Sequence, residues 1–160
     1  AGAPNPEAAN LLQAKKLPHL VNALRKEFDY ILVDIGRSLS QISLTIIQEA
    51  NLVSLILGTE KESVRLGKIV QEYLLNRNVD KKKLYPILNR AIGLEGLTKA
   101  QAESMLGTEI KMTIPYMGGN VTIANNQAEA FVRKYPRDTG SVMIVELTKN
   151  MLKTVQKFKN

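Results

Sequence analysis

Phe28-Asp-Tyr-Ile-Leu-Val-Asp34-Ile-Gly36-Arg-Ser38 is the most informative segment of the chain. Residues 30–33 are apolar without alternation, which suits a strand in the middle of a parallel sheet covered on both faces. Such a strand delivers one carboxylate, Asp34, into a turn containing Gly36. Ligands of open α/β sheets sit beyond the carboxyl ends of the strands. Nucleoside-triphosphatases keep there the acid that holds Mg²⁺ or its water. The same Asp also suits a plain turn or helix N-cap, so the segment alone leaves both readings open.

Working outward, strand and helix alternate. Upstream, residues 1–6 read as a Pro/Gly loop, followed by helical pieces at 7–16 and 17–28. In the second piece Leu20, Val21, Leu24 and Phe28 recur at helical spacing and form an apolar face, with Pro18 in the first turn and His19 on the surface. Downstream, a helix is expected at about 39–49, with Ile42, Ile46 and Ile47 inward, then a buried strand at 52–57. Thr59 and Glu62 match a capping box, opening a helix to about 75. A third strand is expected at 84–88, where Pro86 suggests a strand start or an edge-like position. Thr98 and Gln101 form a second capping box before a short helix to about 106, and a fourth strand follows at 110–114. Residues 118–120 read as loop, Asn126 as the cap of a helix over 127–134, and 141–158 as a long final helix. With no Asn-Gly or Asp-Gly hairpin signal between strands, the expected fold is α/β. It is a three-layer, mostly parallel sheet with helices on both faces.

Composition narrows the chemistry. The 160 residues include no Cys and one His, which excludes disulfides, thiolate metal sites and a His-rich cluster. No apolar run has the length of a membrane span. The net charge is +7 and uneven: residues 1–60 hold 5 Lys/Arg against 6 Asp/Glu, the remainder 17 against 9. A basic later portion suits an anionic partner, or solvated lysines that keep the chain dispersed. No Gly-x-x-x-x-Gly-Lys-[Ser/Thr] phosphate cradle occurs anywhere, so this polypeptide alone should bind a triphosphate weakly or not at all.

Three of the expected strands end in residues able to touch a ligand: Asp34-Ile-Gly36, Asn89-Arg90 and Pro115-Tyr116. In a parallel sheet these fall on one edge. A carboxylate for a hydrated cation, an amide for a base edge and an aromatic ring for stacking make a nucleotide set, Asn offering donor and acceptor to adenine as it does in DNA. Asn89 as a strand-end cap and Arg90 as a solvated cation is the simpler alternative.

In order and spacing these pieces resemble the C-terminal part of the MinD/ParA superfamily of deviant-Walker P-loop ATPases, the CpaE/TadZ pilus-assembly branch above all. The matching residues are the opening Gly2-Ala-Pro-Asn-Pro-Glu7, Phe28 to Asp34, Leu52-Val-Ser-Leu-Ile-Leu57 followed by Ser63-Val-Arg65, Ile87-Leu-Asn89-Arg90, Leu106-Gly-Thr-Glu-Ile110, Ile114-Pro115 and Ala124-Asn-Asn126. The resemblance implies that residues 1–160 are the C-terminal portion of one P-loop ATPase-like domain. The P-loop strand-helix unit, and in some relatives a receiver-like domain, would lie outside the chain. It implies Asp34 as the Walker B acid, holding Mg²⁺ through water, with Gly36 near the γ-phosphate. Asn89 and Arg90 would contact adenine, and Pro115 and Tyr116 would lie near the base. ATP and Mg²⁺ would be cofactors of the complete protein, which would hydrolyse ATP while this portion alone stays inactive.

The partners implied are a second copy through the nucleotide face and the pilus-assembly, secretion or polar-localisation machinery. The place implied is the cytoplasm, peripheral to the inner membrane or at a cell pole. The sequence departs from the family where Asp34 is followed by Ile-Gly-Arg-Ser rather than a Pro-containing continuation. That departure keeps a non-hydrolysing scaffold of the same fold in view. A chromosome- or plasmid-partition type ATPase contacting DNA phosphates through Lys81, Lys82, Lys83, Arg133, Lys134 and Arg137 is a further alternative. On the last helix Lys149, Lys153 and Lys157 lie opposite Leu147, Met151, Val155 and Phe158. That pattern suits an anionic membrane or partner surface, or simply a helix packed on the sheet.

Overall fold

The computed structural model describes residues 14–90 and 95–158. The chain divides into two units, Ala1–Ala50 and Asn51–Asn160. The expected loop at 1–6 and the helix from residue 7 to 13 lie outside the described residues.

In the first unit a short 3-10 turn, Ala14–Lys16, leads into helix α1, Leu17–Glu27, with Pro18 in its first turn. Ser40 then caps α2, Gln41–Glu49, its Oγ accepting from the Ser43 N–H at 3.2 Å. The two helices pack on each other, and Arg25 of α1 donates to the Glu49 carboxylate and to its main-chain carbonyl. The buried face of α1 differs from the expected one. Leu17 is buried and Val21 and Leu24 are half-buried, whereas Leu20 and Phe28 are exposed.

Residues 30–33 are not a strand in this structure. They run without regular structure and pair with no described strand, and Leu32 is 92% exposed and Val33 51%. The physical reason is that a parallel central strand has no self-contained hydrogen bonds. Apolar side chains make it stable in a sheet only where a neighbour completes the ladder.

The second unit holds the sheet. Strands β1 (Val53–Leu57), β2 (Leu84–Asn89) and β3 (Met112–Ile114) lie in the order β1-β2-β3, every pairing parallel. Val53 stands beside Leu84, and Ile87 beside Met112. Helix α3, Lys61–Asn76, connects β1 to β2, and α4, Lys99–Leu106, connects β2 to β3. After β3 come α5 (Gly118–Asn126), the short α6 (Phe131–Lys134) and the long α7 (Thr139–Gln156).

The pleat sorts the core into two layers. Leu57 and Leu88 face one side, where Val64 of α3 and Ala102 and Leu106 of α4 bury them together with Leu97 and Ile110. Tyr85, Ile87, Met112 and Ile114 face the other, against Met117 and the α7 residues Met143, Ile144, Leu147 and Met151. This is the expected α/β architecture, with helices on both faces of a parallel sheet. Burying a side chain such as Leu88 contributes about 1.5–3 kcal/mol, so these two layers hold the unit together.

Pro86 stands in the middle strand, not at an edge. It is tolerated because its carbonyl accepts from the Lys111 N–H at 2.9 Å, which turns its nitrogen to the β3 side as well. The β3 ladder begins only at Met112, so the missing donor falls where no ladder bond is required.

Other boundaries move too. Residues 118–120, expected as loop, and Asn126, expected as a cap, both belong to α5, and the helix expected over 127–134 shrinks to α6. Asp138 caps α7, accepting from the Gly140 N–H at 2.8 Å, so that helix starts two residues earlier than expected.

Candidate functional site

Because β1, β2 and β3 run the same way, their carboxyl ends share one edge. β1 ends at Leu57, and Gly58-Thr59 carries the chain over that edge. β2 ends at Asn89, whose Cα partner is Ile114 at the end of β3, and the Arg90 N–H donates to the Ile114 carbonyl at 2.9 Å. Pro115 and Tyr116 follow directly. The structure therefore brings Asn89, Arg90, Pro115 and Tyr116 together.

Their states differ. Asn89 is half-buried, and its side-chain amide makes no hydrogen bond among the described residues. Arg90 is half-buried and oriented, its Nη2 donating to the Leu97 carbonyl at 3.1 Å. Tyr116 presents its ring to solvent at 55% exposure, while Pro115 is half-buried. An unspent amide, a fixed guanidinium and an open ring on one edge suit a flat heteroaromatic ligand carrying donors and acceptors.

Thr59 belongs to the same edge, which the capping-box reading missed. The N-cap of α3 is Glu60, and no side chain caps it. Ser63 Oγ instead accepts from the Gly58 N–H at 2.7 Å. Thr59 is 1% exposed, its carbonyl accepts from the Leu97 N–H at 2.7 Å, and its Oγ1 has no partner among the described residues. Gly96 closes over it: a Cβ there would stand 2.6 Å from Oγ1. The tertiary contact with residues 96–97 pulls Thr59 inward, out of reach of the helix N-terminus. The available signal was a threonine and a glycine directly after the apolar run 52–57, which was expected as a buried strand but forms β1 with Ser54 and Ile56 exposed and only Leu57 buried.

Asp34 and Gly36 belong to the first unit. The Gly36 N–H donates to Asp34 Oδ1 at 2.9 Å, and Gly36 takes φ +63°, a conformation that costs glycine little. Asp34 is exposed. This is the Asx-turn that the simpler reading expected, and it leaves the second carboxylate oxygen open for a hydrated cation. Among the described residues no group of three or more His, Cys, Asp or Glu is placed to hold a metal.

Lys149, Lys153 and Lys157 are all exposed on or just past α7, opposite the apolar face that packs on the sheet. No described helix is long and apolar enough to cross a membrane.

The sequence matches no protein-family model and no curated protein. Solved structures are more informative. A ParA family ATPase from Chlorobium tepidum TLS superposes with a TM-score of 0.76 at 19% identity, over 91% of this chain and 60% of that one. The cell division ATPase MinD of Pyrococcus furiosus superposes with a TM-score of 0.80, also at 19% identity, over 95% of this chain and 63% of that one. The architecture is thus the α/β fold of the ParA and MinD ATPases. The chain spans less than two thirds of the length of either.

Proposed function

We propose that the chain is the C-terminal part of a MinD/ParA-like ATPase that works as an ATP-dependent positional switch, in the CpaE/TadZ branch that serves Flp/Tad-type pilus assembly. The observation that carries the reading is the shared carboxyl edge, where an Asn89 amide without a hydrogen-bond partner among the described residues, a fixed Arg90 and the Tyr116 ring converge. In this reading Asn89 exchanges donor and acceptor with adenine, Arg90 borders it, and Pro115 and Tyr116 cover the base.

Asp34 would hold Mg²⁺ through water, and Gly36 would serve the γ-phosphate side of the site. Bound Mg²⁺ supplies charge neutralisation to the phosphates. The Lys and glycines of a P-loop come from polypeptide outside these residues, so hydrolysis belongs to the complete protein. A second copy docks on the nucleotide face when ATP is bound. The assembly works in the cytoplasm at the inner membrane or a pole, where Lys149, Lys153 and Lys157 serve as a partner surface.

Nucleotide titration of the complete protein tests this. Asn89→Ala should weaken ATP binding by about tenfold, the loss of a well-made buried hydrogen-bond pair. Asp34→Asn should stop hydrolysis while leaving binding in place. Unchanged affinity in the Asn89 variant rejects the adenine assignment.

A second reading, a non-hydrolysing scaffold of the same fold, draws on Asp34. Its carboxylate already spends one oxygen on the Gly36 turn, and Ile-Gly-Arg follows it. ATP binding without turnover by the unmutated complete protein would favour it. The partition-type, DNA-associated reading has less support, since Lys134 of its basic cluster is paired with Glu129 at 2.9 Å.

A further inference from the structure

The opposite edge of the sheet carries a second cleft. It measures about 800 Å³ and lies within the second unit, where β2 begins and α7 ends. Its floor is Leu84, Tyr85 and Pro86, all buried at the start of β2. Three separate elements send lysines to it: Lys81 and Lys82 from the 3-10 turn before β2, Lys111 from the approach to β3, and Lys153 and Lys157 from the end of α7.

Among the described residues five ammonium groups face two carboxylates, Asp80 and Glu109, a surplus of three positive charges. Both acids are already engaged. Asp80 Oδ1 accepts from the Lys82 N–H at 2.9 Å and so pins the 3-10 turn. Lys111 donates to Glu109 and holds that carboxyl below its ordinary value. Among the described residues Lys81, Lys82, Lys153 and Lys157 have no carboxylate within ion-pair distance.

A favourable interaction with the negative helix terminus accounts for Lys153 and Lys157. It does not account for the convergence of lysines from the other two elements on the same cavity. Collecting like charges around a cavity is unfavourable unless an anion offsets it.

We propose that this amino-edge cleft binds a small anion bearing clustered phosphoryl groups, about three negative charges in all. The volume falls in the range of small-molecule sites, about 300–1,000 Å³. The choice of cation distinguishes phosphate from carboxylate. Every cationic residue of the cleft is Lys, a compact charge with three rotatable donors, which suits phosphoryl oxygens pointing in several directions. Planar carboxylates favour the fork of Arg, and the cleft has none. Thr108, Asn150 and Thr154 add neutral polar groups to its walls. The proposal is independent of the nucleotide reading, because the cleft lies at the other end of the strands from Asn89.

Calorimetric titration of the 160-residue chain with inorganic tripolyphosphate at low salt tests it. Saturable one-to-one binding is expected. Lys153→Gln with Lys157→Gln, and separately Lys81→Gln with Lys82→Gln, should each weaken binding by about tenfold, as removing two partly screened charges predicts. Lys149→Gln, on the same helix but outside the cleft, and Asn89→Ala should leave it unchanged.

Pelleting with phosphatidylcholine vesicles, with and without cardiolipin, distinguishes the source of the phosphates. Cardiolipin-dependent pelleting that tripolyphosphate competes away, and that the cleft variants lose, assigns a lipid headgroup. Tripolyphosphate binding without pelleting assigns a free metabolite. The proposal is overturned if Lys149→Gln weakens binding as much as the cleft pairs do. Hexaglutamate binding as tightly as tripolyphosphate would overturn it too.

Discussion

Asn89 and Tyr85 sit on the same strand and same face, four residues apart, yet serve opposite ends of the sheet. Asn89 is half-buried with an unspent amide, and its expected contribution is to recognition. Tyr85 is 4% exposed at the start of the strand, and burial raises its hydroxyl pKa above the ordinary value, Lys111 opposing and Glu109 assisting. A raised pKa means that the folded state holds its proton more tightly than the unfolded chain. The stability this contributes is present below the ordinary tyrosine value, about pH 10, and is lost as pH rises through the folded value. Tyr85→Phe should therefore flatten the alkaline fall in stability, read as urea midpoints measured from pH 8 to 11, about one unit at a time. An alkaline slope identical in the variant would refute the assignment to Tyr85. At this scale the sequence was a good guide to residue type and a poor one to state. Nothing local distinguishes the buried Thr59 from a helix cap, because what buries it is the tertiary approach of Gly96 and Leu97.

Among the elements, local signals succeeded where the chain makes its own hydrogen bonds. The Thr98 capping box is formed in both directions, Thr98 Oγ1 accepting from the Gln101 N–H at 3.3 Å and Gln101 Oε1 from the Thr98 N–H at 2.9 Å. Thr98→Ala should destabilise the second unit by about 1 kcal/mol, seen as a lower urea midpoint at unchanged slope. Helix α4 packs on α3 and supplies Ala102 and Leu106 to the core, so the lost cap propagates beyond its own helix. The signals failed where an element depends on partners. The apolar run at 30–33 looks the same as β1 in sequence, but a strand's backbone groups are satisfied only by a neighbour. Pro86 reads as an edge and stands in the centre, because a parallel neighbour that starts late asks nothing of its nitrogen. Gly118 and Gly119 read as loop yet begin a helix, glycine's low intrinsic propensity being overridden by context.

For the whole molecule, both buried layers lie inside residues 51–160, one on each face of the sheet. A chain of those residues alone should fold and unfold in urea as one cooperative transition, followed by circular dichroism. A gradual, uncooperative melt would show that the first unit is required for the core. The ParA and MinD structures share this fold, and its two sheet edges carry different side chains: an amide and a ring at the carboxyl end, lysines at the amino end. Lysines along 81–83 and at 153 and 157 were visible in the sequence as charge, but not as one cavity. The sequence by itself determined the α/β class, the crossover helices and where β2 and β3 end, since hydrophobic period and caps act over a few residues. Only the tertiary structure decided which apolar runs became strands, that Thr59 is buried, and that lysines as far apart as Lys81 and Lys157 share one cleft. Ladder pairing, burial and charge convergence are set by chain segments distant in sequence, and no local pattern records them.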